Sequence, residues 1–403
     1  MVAPPSKSMT HRALIISALS NKPVVIHNPL MSEDIRATLH GLEQLGYRFD
    51  IAPGKIVYRG RTQPNSRQVI IQVGESGTSA RFLTALAALH EGEVVIDGSE
   101  RMKQRPMAEL VAALQALGIK VESHGGYLPL RIQGGTVSGN RVVIEGNRSS
   151  QFLSALLLIA PALPDGLTLR SSSEPVSRGF LQLTLNMMET AGVSVREEEN
   201  IWKVTPGSRY RIEEWEVEGD YSNAAFFLGG AAITGGQIEV GHLHRNSLQG
   251  DRILLDILEQ AGAEVEWVEN GVRLTGAPLQ GIRWDLRDYP DLLPPLAVVS
   301  LFARTPSQFT NLTHLRLKES DRLQSIAENI ERLGGRAAVD KADLHVIPQP
   351  LHGGLLPSYN DHRIAMSFAM AGLRVPGVRI EGYTCVRKSY PQFWEAWERC
   401  SRS

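Results

Sequence analysis

Leu323, Ile326, Ile330 and Leu333 recur at three- and four-residue spacing, which predicts a helix with Ser320 as N-cap and Gly334-Gly335 as its stop. An alternating apolar pattern just before it predicts a strand that gives way to this helix. The same helix-ending phrase, apolar-x-x-Leu/Ala-Gly followed by a short strand, occurs at Leu42–Gly46, Leu114–Gly118, Met188–Gly192, Leu258–Gly262 and Ile330–Gly334. Its glycines lie 72, 74, 70 and 72 residues apart. A second helix, rich in Ala and Leu and followed by a β-branched strand, recurs at that period from Thr10, Ser79, Ser150, Ser222, Leu292 and Asp361. Pro391 to Cys400 supplies the sixth partner of the first series. The chain therefore reads as six units of two helices and several strands, three per domain, with a crossing point at Trp215 to Asp220.

Composition narrows the class. A chain of 403 residues exceeds one ordinary core, so two domains are expected. With 42% apolar and 21% charged residues it is a soluble globular protein. A net charge of −1 and the absence of a Lys/Arg-rich tract argue against nucleic acid. Two cysteines, Cys385 and Cys400, make no disulfide framework and point to a reducing compartment, the cytoplasm. No metal-ligand spacing is present, so neither a metal nor a cofactor is expected. Lys7, Arg12 and the run Ala13 to Leu19 resemble a signal peptide, but the run is short and no small-residue cleavage site follows. The longest apolar runs, Phe152 to Leu163 and Leu292 to Ala303, fall short of the roughly 18 residues that span a bilayer.

Charge matters locally. Lys318, Glu319, Asp321 and Arg322 crowd into five positions at the predicted helix start. Taken alone, that run reads more simply as an exposed helix start laced with ion pairs. Serine, threonine and aspartate at the other starts are ordinary N-caps. Capping does not explain Lys7, Arg12, Arg105, Lys318, Arg322, Arg363 and Lys388, because a cation at the positive end of a helix is unfavourable unless an anion joins it. Seven such cations imply a strongly anionic ligand, placed between the domains if their helix starts face each other.

Pro5-Ser6-Lys7-Ser8 with Arg12, Gly77-Thr78 with Arg81, Arg101 to Pro106, Ser149-Ser150-Gln151, Asp288 to Asp291, His314 to Leu323, Asn360 to Met366 and Lys388 to Pro391 form an ordered set of motifs that runs nearly end to end. That set resembles the 5-enolpyruvylshikimate-3-phosphate synthase family. The resemblance implies an α/β fold, a two-domain inside-out α/β barrel of six βαβαββ repeats, three per domain. The expected domains are 6–218 and 219–403, with residues 1–5 at the crossover. It implies that Lys7, Ser8, Arg12, Ser149, Ser150, Gln151, Ser177, Asp291, His314 and Lys318 bind shikimate 3-phosphate. It further implies that Lys7, Gly77, Arg105, Gln151, Arg322, Arg363 and Lys388 bind phosphoenolpyruvate. In this family the 5-hydroxyl of shikimate 3-phosphate adds to C2 of phosphoenolpyruvate while C3 is protonated, and the tetrahedral intermediate loses phosphate. The similarity makes Asp291 the base and Glu319 the proton donor to C3, with Lys7 and Lys388 as electrostatic partners. A monomer without nucleic-acid or membrane partners is expected. Gly77 leaves room for phosphonate inhibitors of the glyphosate type.

Glu75, Phe180 and His314 depart from the residues frequent in the family, which touches side contacts to substrate and not the reaction. Only Met1 to Pro4 precede the first motif, where the family carries a strand on the second domain; either the chain is trimmed or that domain lacks one edge strand. The related transferase acting on UDP-N-acetylglucosamine would carry a reactive cysteine in a first-domain loop, and both cysteines here lie in the last unit. A noncatalytic sugar-phosphate sensor would not place Asp291 and Glu319 among phosphate ligands. No Gly-x-x-x-x-Gly-Lys-Ser/Thr stretch marks a nucleotide enzyme.

Overall fold

A computed structural model describes residues 1–62 and 68–401. The chain divides into two compact units, Ser6–Val217 and Met1–Pro5 with Glu218–Ser403.

The Ser6–Val217 unit carries helices α1 (Lys7–Ala18), α2 (Glu33–Gln44), α3 (Gly77–Ala87), α4 (Ala108–Ala116), α5 (Ser150–Ile159) and α6 (Arg178–Thr190). Helices α1, α3 and α5 are buried almost all round, which is why their sequence reads as Ala- and Leu-rich without a polar stripe. Helices α2 and α6 bury one face, as their polar residues at intervening positions require. Three four-stranded sheets share one pairing order. Gln68–Gln72 pairs parallel with Gly92–Asp97, which pairs antiparallel with Tyr127–Gly134 and that in turn with Lys120–His124. Arg141–Ile144, Leu167–Ser171, Ile201–Val204 and Arg196–Glu198 repeat the order. Glu214–Glu216, Val24–His27, Lys55–Arg61 and Tyr47–Ala52 repeat it again, the chain returning late to supply the parallel edge. Along Tyr127–Gly134, Leu128, Leu130 and Ile132 alternate inward into the core, the period-two pattern of a sheet with one buried face.

The other unit carries α7 (Tyr221–Thr234), α8 (Leu254–Gln260), α9 (Leu293–Ser300), α10 (Arg322–Arg332), α11 (His362–Ala371) and α12 (Phe393–Ser401). Helices α7, α9 and α11 are again buried nearly all round and pack on one another. Arg283–Asp285, Ser307–Thr310, Asp343–Ile347 and Arg336–Asp340 follow the pairing order of the first unit. Gln237–Gly241, Gly271–Thr275 and Glu264–Val268 form a three-stranded sheet, and Val2 makes a parallel bridge to Gly241 at its edge. The first residues thus supply a bridge, not a full strand, to this sheet. Phe393 and Trp397 stack on each other and meet Phe227 edge-on and tilted, which seals α12 to α7.

The five glycines of the repeated phrase, Gly46, Gly118, Gly192, Gly262 and Gly334, all have positive φ and each follows its helix by two residues. That left-handed turn is open to glycine at no steric cost and ends the helix with a backward hydrogen bond, such as Gly335 N to Ile330 O. Three local expectations are corrected. Asp321, not Ser320, caps α10, accepting from Gln324 N at 3.2 Å, and Ser320 instead donates to Asp361. Thr313–Leu317 forms a single 3₁₀ turn, not a strand, because the strand of this segment closes earlier at Ser307–Thr310. The C-terminal helix starts at Phe393, since Pro391 lies in the turn before it.

Candidate active site

In the Ser6–Val217 unit the predicted residues gather at helix starts. Lys7 opens α1 behind the Ser6 cap, and its Nζ lies 3.0 Å from Asp34 Oδ2 in the first turn of α2. One turn on, Arg12 donates to Thr184 Oγ1 at 2.8 Å, to Ser8 O at 2.9 Å and to Phe180 O at 2.8 Å. Burial pulls Arg12 down to about 9, which leaves it charged at neutral pH. His11, buried beside Lys7 and Arg12, is driven well below its ordinary value, first by burial and then by both cations, and is neutral. Gly77 opens α3 behind the Ser76 cap. The Arg105 and Arg81 guanidinium groups cross directly over it: a Cβ at this position would stand 2.6 Å from an Nη1 of each. Arg81 is fixed by Gly77 O and Pro106 O, both at 3.1 Å. Ser149 caps α5, accepting from Gln151 N at 3.2 Å, and the Gln151 amide donates to Thr78 Oγ1 at 3.1 Å. Ser177 precedes α6 in the left-handed region, φ 56° and ψ 41°, with its buried hydroxyl making no hydrogen bond to a described residue.

In the second unit the crowding at residues 318–322 has a definite structure. Arg322 is 1% exposed and reaches three carboxylates at 2.8 Å: Asp361 through Nε, Asp291 through Nη1 and Glu319 through Nη2. Arg363 Nη2 takes the other oxygen of Asp291, also at 2.8 Å. Burial works to raise Asp291, but Arg363, Arg322 and Lys318 overcome it and hold the carboxyl well below the usual range. Burial likewise works against the Arg322 charge, and Asp361, Glu319 and Asp291 outweigh it. His314 is pushed down to about 3 by burial and by Lys318, so it is a neutral imidazole. Lys388 donates to Asn360 O at 2.6 Å.

Lys7, Ser8, Arg12, Gly77, Arg105, Ser149, Ser150, Gln151 and Ser177 therefore lie in one unit, and Asp291, His314, Lys318, Glu319, Arg322, Arg363 and Lys388 in the other. Reading from sequence misses the partners Asp34 and Asp361, since an aspartate at a helix start looks like an ordinary cap. Asp361 does cap α11, but its second oxygen serves Arg322. Cys385 is buried, which pushes its thiol up to about 11 and removes it as a nucleophile at neutral pH.

Among the described residues no helix is long and apolar enough to cross a membrane. Residues 1–397 match the sequence profile of EPSP synthase (3-phosphoshikimate 1-carboxyvinyltransferase). The chain is 41% identical to the 3-phosphoshikimate 1-carboxyvinyltransferase of Methanoculleus marisnigri over 98% of its length and 94% of that relative. It is 36% identical to the enzyme of that name from Trichormus variabilis, over 97% and 93%. The crystal structure of EPSP synthase from Acinetobacter baumannii superposes with a TM-score of 0.82 at 27% identity, covering 99% of this chain and 95% of that one. The fold and a likeness that runs the length of the sequence agree, and the chain belongs to the EPSP synthase family.

Proposed function

We propose that this chain transfers the enolpyruvyl group of phosphoenolpyruvate to the 5-hydroxyl of shikimate 3-phosphate, releasing phosphate and forming 5-enolpyruvylshikimate 3-phosphate, a step of aromatic amino acid biosynthesis. Full-length membership of the family supports the reaction. One observation supports the assignment of roles: Arg322 and Arg363, assigned to phosphoenolpyruvate, are the groups that hold Asp291 and Glu319, assigned to proton transfer.

That sharing has a chemical consequence. A carboxylate gripped by two guanidinium groups is a weak base. When an anionic substrate draws Arg322 and Arg363 to itself, Asp291 loses its counterions and its proton affinity rises. Asp291 then takes the proton of the 5-hydroxyl as its oxygen bonds to C2, and Glu319 gives a proton to C3. In the second half Glu319 takes a proton back from the C3 methyl as the C2–O bond to phosphate breaks, and the proton held by Asp291 passes to the departing phosphate, so both carboxyls return to their starting states. Lys7, Arg105 and Lys388 offset the charge on the leaving phosphate. Lys7, Ser8, Arg12, Ser149, Ser150, Gln151, Ser177, His314 and Lys318 hold shikimate 3-phosphate, and Gly77 lets phosphoenolpyruvate approach the backbone at the start of α3.

The finer architecture belongs to the same reading: two domains, 6–218 and 219–403, each of three βαβαββ repeats in an inside-out α/β barrel. The shared pairing order of four sheets supports it. The enzyme is a cytoplasmic monomer that needs no cofactor, metal or nucleic acid. Mixing the protein with both substrates and following phosphate tests the reaction; release that does not depend on shikimate 3-phosphate counts against it.

A further inference from the structure

Asp251 is a buried carboxyl that the proposed chemistry does not use. It sits in the turn Gly250–Ile253 that runs into α8, is 4% exposed, and accepts a hydrogen bond from Ser222 Oγ in the first turn of α7. Gln249 fixes this turn to the start of α7, donating to Gly219 O at 2.7 Å and accepting from Tyr221 N at 3.4 Å. The charged and titratable groups that face Asp251 are Asp291 from the turn before α9, with Tyr289 beside it, Arg363 from α11 and Asp220 at the cap of α7. Among the described residues Asp251 makes no ion pair, whereas Asp291 takes both Arg322 and Arg363 at 2.8 Å.

A carboxyl sealed from water with one hydroxyl donor and no cation in contact resists ionisation, and a like charge nearby adds to that resistance. Burial first and Asp291 second push Asp251 up to about 7, against the Ser222 hydrogen bond and Arg363. Two carboxyls whose surroundings drive them apart in this way divide the work, one ionised and one protonated.

We propose that Asp251 is a positioning residue for the transfer: carried as the neutral acid, it keeps Asp291 ionised on Arg322 and Arg363, and its own ionisation weakens the hold of those guanidinium groups on anionic substrate. The proposal rests on the roles of Asp291, Arg322 and Arg363 given above. As pH rises through 7 a second negative charge appears beside Asp291, and KM for phosphoenolpyruvate climbs while kcat changes little.

The test compares the full chain with Asp251→Asn, a neutral isostere, from pH 6 to 9. The ratio of the two KM values cancels the titration of the substrate itself. In the parent KM rises relative to the variant as pH passes 7 and levels off about tenfold higher by pH 9. Superimposable profiles overturn the proposal. Ser222→Ala removes the donor that favours the charged form, so it moves the alkaline rise of KM to higher pH; an unmoved rise overturns the proposal even where Asp251→Asn does not fold. Infrared difference spectra between pH 6 and 9 give a readout that needs no turnover: a protonated carboxyl band at pH 6 that survives to higher pH in Ser222→Ala supports the proposal, and its absence from the parent overturns it. Failure to release phosphate from the two substrates would sink the proposed reaction and leave that infrared result standing.

Discussion

Arg322 Nε lies 2.8 Å from Asp361 Oδ2 with the two side chains 1% and 0% exposed, so the pair is sealed from solvent. A buried ion left without its partner costs far more than an exposed one, because no water replaces the lost contact. Asp361→Ala is expected to lower unfolding stability by about 2–4 kcal/mol, a charged hydrogen bond and a helix cap together. It removes one of the three carboxylates on Arg322, the one fully buried with it, and also the cap on Arg363 N at 2.9 Å. Asp361→Asn keeps the cap and loses less. Urea titrations of the two variants decide this: the loss in Asn reports the charge and the further loss in Ala the cap, and an Asn variant as stable as the parent would show that the charge is not structural.

Gly77→Ala separates stability from binding. The added methyl would stand 2.6 Å from the Arg105 and Arg81 guanidinium tips; Arg81 is tied to Gly77 O and Pro106 O, so it is the flexible end of Arg105 that gives way. Alanine also suits a helix better than glycine by up to about 1 kcal/mol. The melting temperature is therefore expected to hold or rise, while displacement of Arg105 raises KM for phosphoenolpyruvate by roughly tenfold, the equivalent of about 1.4 kcal/mol. Steady-state kinetics with an unchanged KM would remove Arg105 from the phosphoenolpyruvate site.

Much of this was legible in the chain itself, for reasons particular to certain residues. Glycines at 46, 118, 192, 262 and 334 are legible because a left-handed helix stop admits few other residues. Helices α1, α3 and α5 are legible because burial on every side leaves no polar stripe to confuse the pattern. The start of α10 is not, since Ser320 and Asp321 are equally good caps and only tertiary structure assigns Ser320 to Asp361. Thr313–Leu317 alternates like a strand yet turns, because alternation over five residues does not exclude one 3₁₀ turn. Cations without a capping role mark the site from sequence, but their partners Asp34 and Asp361 hide among ordinary N-terminal acids.

Glu319→Gln keeps the shape of the side chain that meets Arg322 Nη2 at 2.8 Å and removes the proton it would carry. Shikimate 3-phosphate affinity is expected to stay within severalfold by calorimetry, while kcat falls by at least about 100-fold, the usual share of a general acid–base. Lost binding together with ordinary residual turnover would reverse that role.

His314 gives the folded state a pH dependence whose sign can be stated. Its folded value of about 3 lies below the roughly 6.5 of an exposed histidine, so between them the unfolded chain carries a proton that the folded one refuses. Its contribution is whole above about 6.5 and drains as pH falls, by up to about 1.4 kcal/mol per pH unit. Asp251 runs the other way, holding a proton when folded up to about 7, so its contribution drains as pH rises from about 4. The two partly cancel in the parent, and His314→Asn separates them. Relative to that variant, the parent should lose about 1.2 kcal/mol in urea titrations between pH 6 and pH 5. A constant difference would mean that His314 is protonated in the folded protein.

Ser177 carries two costs at once: a left-handed backbone, φ 56°, and a buried hydroxyl that no described residue satisfies. Each destabilises by about 1 kcal/mol or more in a residue with a side chain. Such costs persist where a function needs them, and a hydroxyl held at the start of α6, which spans 13 residues, is placed to donate to a phosphate. Ser177→Gly is open to the same φ without strain and has no hydroxyl to bury, so it is expected to raise stability by about 0.5–2 kcal/mol and to weaken shikimate 3-phosphate binding by about tenfold. Ser177→Ala relieves only the hydroxyl and keeps the strained φ, so it should stabilise less than Gly and weaken binding by a similar amount. Calorimetric affinities that match the parent in both variants would show that the hydroxyl is not a phosphate ligand and that the strain at Ser177 serves the α6 turn alone.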